Sequence, residues 1–507
     1  MDSMKTSILN KLFGATQSVP GHRPWPRSIV DTEMWKLAGH ELQVGSVSLL
    51  ALWAEPDVVH MAVGDSVVTD VMVLSLPCPD RHFPSIGQYH APAIRLERAI
   101  QDLFGLVADG LPDTRRWLDH GSWGVCHPLG ESSVISESAP AYPFLGVEGE
   151  SLHQIPVGPV HAGIIEPGHF RFTASGEVIV RLEERLGYTH KGIESLLSGC
   201  DVAAGAMFAG RLSGDSTVAF AWAFARAVES AVDTRVPERA LWLRALMAEL
   251  ERLANHLGDI GAVCNDAAFA LMNAQCSTLR ESVLRAAMQV FGHRLMMDQI
   301  IPGGTARDVQ RSDIDLLTAL TEDILTQLPT LVELYDKTSS LEDRTVGTGK
   351  LDLRLVEQFA TGGFIGRASG RAFDSRRNLA YAPYDQLSFE IPVRAKGDVN
   401  SRIWIRFEEI TQSLELIKQI IKKLPSGAVR NPVPDGPGEG LAIGEGFRGD
   451  TLVWVRLDDD GKISRCHLRD PSWFQWPLLE VAIKDNLVGD FPLCNKSFNC
   501  SYSGHDL

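Results

Sequence analysis

No two of the eight cysteines form a CxxC pair. Cys78, Cys126, Cys200, Cys264, Cys276, Cys466, Cys494 and Cys500 are scattered singly along the 507 residues, the pattern of reduced thiols rather than of a disulfide framework. Cys494 and Cys500 are neighbours, but the segment between them matches no common zinc or iron–sulfur spacing, so they read as separate thiols. No apolar run approaches the ~20 residues of a transmembrane helix; Val71 to Leu76 and Val218 to Ala225 are far shorter. Membrane contact is therefore expected only through partner chains. Met1 to Val30 lacks the apolar core of a secretory signal, which predicts a cytoplasmic protein. No lysine–arginine stripe interrupts a net charge of -16, a balance that opposes phosphate backbones and argues against nucleic-acid binding. The glycine pairs Gly303-Gly304 and Gly362-Gly363 give no GxGxxG between a strand and a helix, so the chain offers no dinucleotide cradle.

What is present is an ordinary globular composition, 44% hydrophobic and 22% charged, long enough for two or three domains. Gly45 to Pro77 reads as consecutive strands broken at Glu55-Pro56 and Gly64-Asp65. Ile94 to Phe104 has helical spacing and is closed by Gly105. Gly121 to Glu150 is rich in Ser, Gly, Pro and Glu and reads as a linker. A hairpin follows, Phe170 to Thr173 and Glu177 to Leu182, turning at Ser175-Gly176. The period then becomes helical from Arg211 to about Gln299. Pro237 suits a first turn there, and Leu243, Leu246, Leu250, Leu253 and Leu257 repeat at three- and four-residue steps. Ala267 to Phe291, Arg311 to Leu334 and Glu409 to Leu424 are further helices, the last stopped by Pro425 and Gly427. Leu452 to Leu457 and Ile463 to Leu468 flank an Asp-Asp-Gly turn. The expected class is α+β: an extension over 1–30, a small α+β domain over 31–122, a linker over 123–155, and a mainly helical domain with small flanking sheets over 156–507.

Two sets of motifs carry a family resemblance. Leu96-Glu97-Arg98-Ala99-Ile100-Gln101-Asp102-Leu103-Phe104-Gly105, followed by Pro112-Asp113-Thr114-Arg115-Arg116, resembles the signature of the C subunit of respiratory complex I, E-R-E-x-x-D-x-F-G then G-H-P-D-x-R-R. Ala99 and Leu111 depart from it. The later motifs are Gly158-Pro159-Val160-His161, Glu166-Pro167-Gly168-His169-Phe170, Gly187-Tyr188-Thr189-His190-Lys191-Gly192-Ile193-Glu194, Asn255-His256-Leu257, Pro302-Gly303-Gly304 and Gly366-Arg367-Ala368-Ser369-Gly370. They resemble the D subunit of complex I and the large subunits of group 4 nickel–iron hydrogenases. A single chain carrying both sets is similar to formate hydrogenlyase large subunits.

In those hydrogenases two CxxC pairs hold nickel and iron, because soft thiolates suit these metals. The resemblance places the first pair at Ser213 and Ser216, after Arg211, and the second at Ser501 and Gly504 if Ser497 and Asp506 fix the register. Protonated alcohols are poor substitutes for thiolates, so no nickel–iron centre is expected. The complex I likeness implies instead a cavity that receives a quinone headgroup, bonded by a hairpin histidine and a downstream tyrosine. His169 best matches the histidine; the tyrosine position falls on Gly214, which has no side-chain donor. Met296 stands where complex I tends to place a histidine near its terminal iron–sulfur cluster.

The resemblance implies a polar frame around that cavity, with Glu166, His169, His190, Arg211, Asp215 and Arg371 as site candidates. Lys191, Glu194, Arg367, Asp374, Arg376, Arg377 and Asp385 lie in the same motifs. Two readings of the frame stay open, a structural arginine–carboxylate network and a proton relay or coupling element. His256, on an apolar helix face, reads as a core histidine bonded to a neighbour. The expected protein is the large subunit of a membrane-associated respiratory oxidoreductase, peripheral on the cytoplasmic face of the inner membrane. It binds no cofactor itself unless a quinone, and NADH, if the assembly oxidises it, is expected on another polypeptide. Its implied partners are an iron–sulfur small subunit like the B subunit of complex I, a ferredoxin-like subunit like the I subunit, and membrane subunits of the antiporter type and of the H type. An active reductase of a quinone or another acceptor and a non-catalytic scaffold are the alternatives.

Overall fold

The computed structural model describes residues 7–14, 16–131, 134–135 and 141–507. β-Branched and apolar runs give the strands Val47–Glu55, Val58–Asp65 and Val71–Pro77, paired as an antiparallel meander, with the breaks where the sequence places them. Arg27–Ile29 adds in parallel to Val71–Pro77, and Gln17–Val19 completes the far edge. Helices Thr32–Val44 and Ile94–Phe104 pack on this sheet. The second helix ends at Gly105, whose φ of 69° is the left-handed conformation that glycine adopts without Cβ strain.

The second unit opens with a three-stranded antiparallel sheet, Leu152–Val157, His169–Ser175 and Val178–Arg185. The helices Thr217–Ala231, Glu238–Asp266, Ala270–Phe291, Arg311–Asp336 and Val399–Lys423 form its bundle. Pro237 precedes Glu238–Asp266 rather than lying in its first turn. Val399–Lys423 begins ten positions before Glu409, capped by Asp398, whose carboxylate accepts from Ser401 N. Among the described residues no helix is long and apolar enough to cross a membrane.

The C-terminal sheet runs Ile463–Arg469, Gly449–Leu457, Gly438–Gly446 and then His22–Arg23, the last in parallel. Residues 1–30 thus supply strands to both units. Gly438–Gly446 is glycine-rich because it lies flat on helix Thr217–Ala231: a Cβ at Gly440 would stand 1.8 Å from Ala227 O. Polar contacts stitch the two units together. Val47–Glu55 is an edge strand, and arginines of the second unit cover its carbonyls: Arg465 donates to Ala54 O (3.0 Å) and Arg469 to Leu50 O (2.9 Å). Trp53 stacks on His467, with centroids 5.1 Å apart, and Arg456 bridges Glu55 (2.5 Å) and Glu439 (2.7 Å).

Candidate active-site cavity

A cavity of about 730 Å³ lies between the loop after Leu152–Val157 and the C-terminal tail. Local backbone geometry builds its walls. Ser213 to Ser216 form the short turn that leads into helix Thr217–Ala231. Asn499, at φ 46°, ends helix Phe491–Phe498 and turns the tail back, and Ser501 then caps Tyr502–Asp506 by accepting from Gly504 N at 2.9 Å. Arg448 comes from the hairpin tip between Gly438–Gly446 and Gly449–Leu457.

These segments bring five sequence-predicted positions together, Ser213, Asp215, Ser216, Ser501 and Gly504. Ser213 and Ser501 hydroxyls are 2.8 Å apart, and Ser213 donates to Asp215 Oδ1 at 2.8 Å; since Ser213 gives its single proton to Asp215, Ser501 is the donor to Ser213. Arg448 donates to both carboxylate oxygens of Asp215, to Ser216 Oγ (3.0 Å) and to Asn499 O (2.5 Å). Burial pushes the Asp215 carboxyl up, but Arg448 and the two serine hydroxyls more than offset this and hold it below its ordinary value. At Gly504 an added Cβ would lie 2.5 Å from Asp470 Oδ2, so Asp470 occupies the space a larger side chain would need. The single thiol beside them, Cys500, is buried, which pushes its pKa well up and keeps it protonated.

This donor set does not fit a nickel–iron centre. Three neutral hydroxyls already bonded within the protein, a glycine packed against a carboxylate, and an adjacent guanidinium replace the anionic thiolates that a bridged pair of cations requires.

The other predicted residues divide. Glu166 borders the cavity and accepts from Ser503 N at 3.1 Å. His169 does not: its ring packs on Phe144, with centroids 4.8 Å apart, and takes a hydrogen bond from Arg171 (3.3 Å). The histidine that does border the cavity is His161, with Tyr502 Oη 3.5 Å from its Nε2. His190 bonds Asp506 O (2.7 Å) beside a separate cavity of about 230 Å³. Lys191 reaches Ser503 O, and Glu194 is held by Arg465 (2.9 Å) and His467 (2.7 Å). Arg211 pairs with Asp298 at the surface (2.6 Å), and Arg371 borders a different cavity. Arg377 donates to Phe389 O, and Asp385 is exposed. Arg367, Asp374 and Arg376 belong to a fully buried network with Glu249, Glu409 and Glu445. His256 bonds Glu409 at 2.7 Å within that core, as a structural histidine does.

Sequence reasoning missed His161 as a cavity residue, although it stands in one of the family motifs, and missed Tyr502 and Arg448. Arg448 meets Asp215 from 233 positions away, and no local spacing announces such a contact.

Comparison with known proteins agrees with this architecture. Residues 50–138 match the family described as respiratory-chain NADH dehydrogenase, 30 Kd subunit, and residues 266–436 the corresponding 49 Kd subunit. Formate hydrogenlyase subunit 5 of Escherichia coli (strain K12) is 31% identical over 441 residues, covering 84% of this chain and 77% of that protein. The D subunit of NADH-quinone oxidoreductase from Dehalococcoides mccartyi is 32% identical over 66% of this chain and 91% of its own length. Among solved structures, a chain of the membrane-bound sulfane sulfur reductase, an archaeal respiratory membrane complex, superposes with a TM-score of 0.67 at 25% identity, over 71% of this chain and 99% of that one.

Proposed function

The chain belongs to the family of fused 30 kDa- and 49 kDa-type respiratory subunits that includes formate hydrogenlyase subunit 5, and from this we propose that it is the large subunit of a membrane-associated, complex I-like oxidoreductase that works without a nickel–iron centre of its own. Electrons come from an iron–sulfur cluster on a partner small subunit, which a ferredoxin-like subunit supplies in turn. The assembly docks on membrane chains of the antiporter type and of the complex I H type at the cytoplasmic face. Any nucleotide chemistry of the assembly belongs to another polypeptide.

One observation carries this reading: a hydrogen bond, with Asp215 and Arg448 beside it, joins Ser213 and Ser501, two of the positions that the hydrogenase resemblance assigns to metal ligands. The relatives' names mention formate, quinone and sulfane sulfur, so kinship does not fix the acceptor. The cavity offers an acceptor a protonated tyrosine, Tyr502, and the imidazole of His161, groups that can hydrogen-bond a bound molecule and pass protons to it, with Glu166 at the same wall as a hydrogen-bond acceptor. His161, whose pKa is lowered by burial and by Lys496, is neutral at pH 7 and able to donate or accept a hydrogen bond.

The test is to purify the complex through a tag on this chain, identify the co-purifying polypeptides, and follow cluster reduction by electron paramagnetic resonance. A cluster-bearing small subunit and membrane chains should co-purify, with no hydrogen evolved on reduction. Isolation of this chain alone, or hydrogen evolution by the complex, would overturn the proposal.

A further inference from the structure

A second cavity of about 730 Å³ opens between the two units, far in sequence from the serine cluster. The N-terminal unit contributes the end of helix Thr32–Val44, the start of Val47–Glu55, and His90; the second unit contributes Arg354, Arg371 and Asn378. Arg371 is only 8% exposed. Among the described residues its guanidinium donates one hydrogen bond, to Ala360 O at 2.9 Å, lies over the Phe373 ring at 4.4 Å, and has no carboxylate at ion-pair distance. Three acids influence it: Glu445 is engaged by Arg367 and Asp450 by Arg469, while Glu357 lines the same cavity, beyond ion-pair distance of Arg371. His90, 2% exposed, has both ring nitrogens buried without a partner.

A buried guanidinium is normally matched by an anion or saturated by carbonyls. Arg402, also buried without a carboxylate, is saturated: it donates to Ser497 Oγ, Gly397 O and Gly349 O. Arg371, with its single hydrogen bond, is not saturated in this way, and it lines the cavity. The volume lies within the range of small-molecule sites, larger than a bare anion needs.

We propose that this cleft binds a small anionic molecule bearing a phosphate or carboxylate, anchored by Arg371, with His90 beside it and Arg354 at the mouth. Phosphate and carboxylate are the groups whose oxygens match the donor fork of a guanidinium. Because its ligand would touch both units, occupancy ties them together. The inference is independent of the function proposed for the serine-lined cavity.

The experiment is a titration of the full chain with inorganic phosphate, ribose 5-phosphate and malonate, against sodium chloride of equal ionic strength, followed by thermal melting and calorimetry. Vesicles of phosphatidylglycerol and of phosphatidylcholine form a separate arm. The wild type should be stabilised by at least one of the soluble anions and not by chloride, and Arg371→Gln should weaken that binding by ~10-fold or more. Without ligand Arg371→Gln should melt no lower than the wild type, since it removes an unpaired buried charge. Arg354→Gln, at an exposed position that should not disturb folding, should weaken binding by a smaller factor. A response confined to phosphatidylglycerol vesicles and lost in both variants would assign the same chemistry to a lipid headgroup. Equal responses in wild type and variants, or none to any anion, would overturn the proposal.

Discussion

Replacing Arg367 with Met isolates the part of the polar frame that serves architecture. The guanidinium is fully buried and joins three elements: it donates to Glu409 Oε1 (2.7 Å) on helix Val399–Lys423, to Glu445 Oε1 (3.0 Å) on strand Gly438–Gly446, and to Phe373 O (2.9 Å), from its own place on helix Gly363–Ala368. Methionine fills much of the same volume but leaves Glu409 and Glu445 without this countercharge. Removing one member of a buried pair costs ~3–5 kcal/mol. Burial pushes the Glu409 carboxyl up, while Arg367 and His256 together hold it far below the usual carboxylate range. A carboxyl depressed in the folded state stabilises above its unfolded value of about 4.3 and loses that contribution only at more acid pH. In Arg367→Met the depression is relieved, so the deficit relative to wild type should be full at pH 8 and smaller at pH 3. Urea denaturation of the full chain at both pH values measures it. A loss under ~1 kcal/mol at pH 8, or a loss that grows toward acid, would refute the reasoning.

Three further outcomes are expected. Gly440→Ala should destabilise the chain by several kcal/mol or prevent folding, because its Cβ would meet Ala227 O at 1.8 Å, whereas Gly489→Ala, with nothing within 4 Å, should be close to neutral in the same denaturation experiment. Glu97 is buried, which pushes its carboxyl up to about 7; the folded chain therefore holds a proton that the unfolded chain releases near pH 4.3, stability should fall by up to ~1.4 kcal/mol per pH unit between about pH 5 and 7, and Glu97→Gln should flatten that slope in melts across the window. Tyr502→Phe and His161→Gln should each slow acceptor reduction by ~100-fold while leaving reduction of the partner's cluster unchanged in rapid-mixing measurements; equal slowing of both steps would place these residues outside proton delivery.

Much of the fold is legible in local pattern. The meander over Val47 to Pro77 and the helix Ile94–Phe104 follow from alternation, helical period and a closing glycine. The strand Gly438–Gly446 is hidden because the glycines that let it approach helix Thr217–Ala231 carry no apolar period and look like loop. The first turns of Val399–Lys423 are hidden because Arg402 and Arg406, polar in sequence, face inward to Ser497 and Asp259. In the cavity, Ser213, Ser216, Ser501 and Gly504 are found by family motif. The groups that fill the space around them are not, since Arg448 and Asp470 reach it only through tertiary folding. His169 and His161 show the limit of motif matching: the two stand in one segment, and the strand pairing of His169–Ser175 decides that the first packs on Phe144 while the second borders the cavity.

The most direct test of the central claim is the nickel and iron content of the intact complex purified through a tag on this chain. Iron from the partner's clusters with no stoichiometric nickel is the predicted result. Nickel in stoichiometric amount with this chain would contradict the account, because Ser213, Ser216, Ser501 and Gly504 would then have to be reconciled with a metal centre that their chemistry does not support.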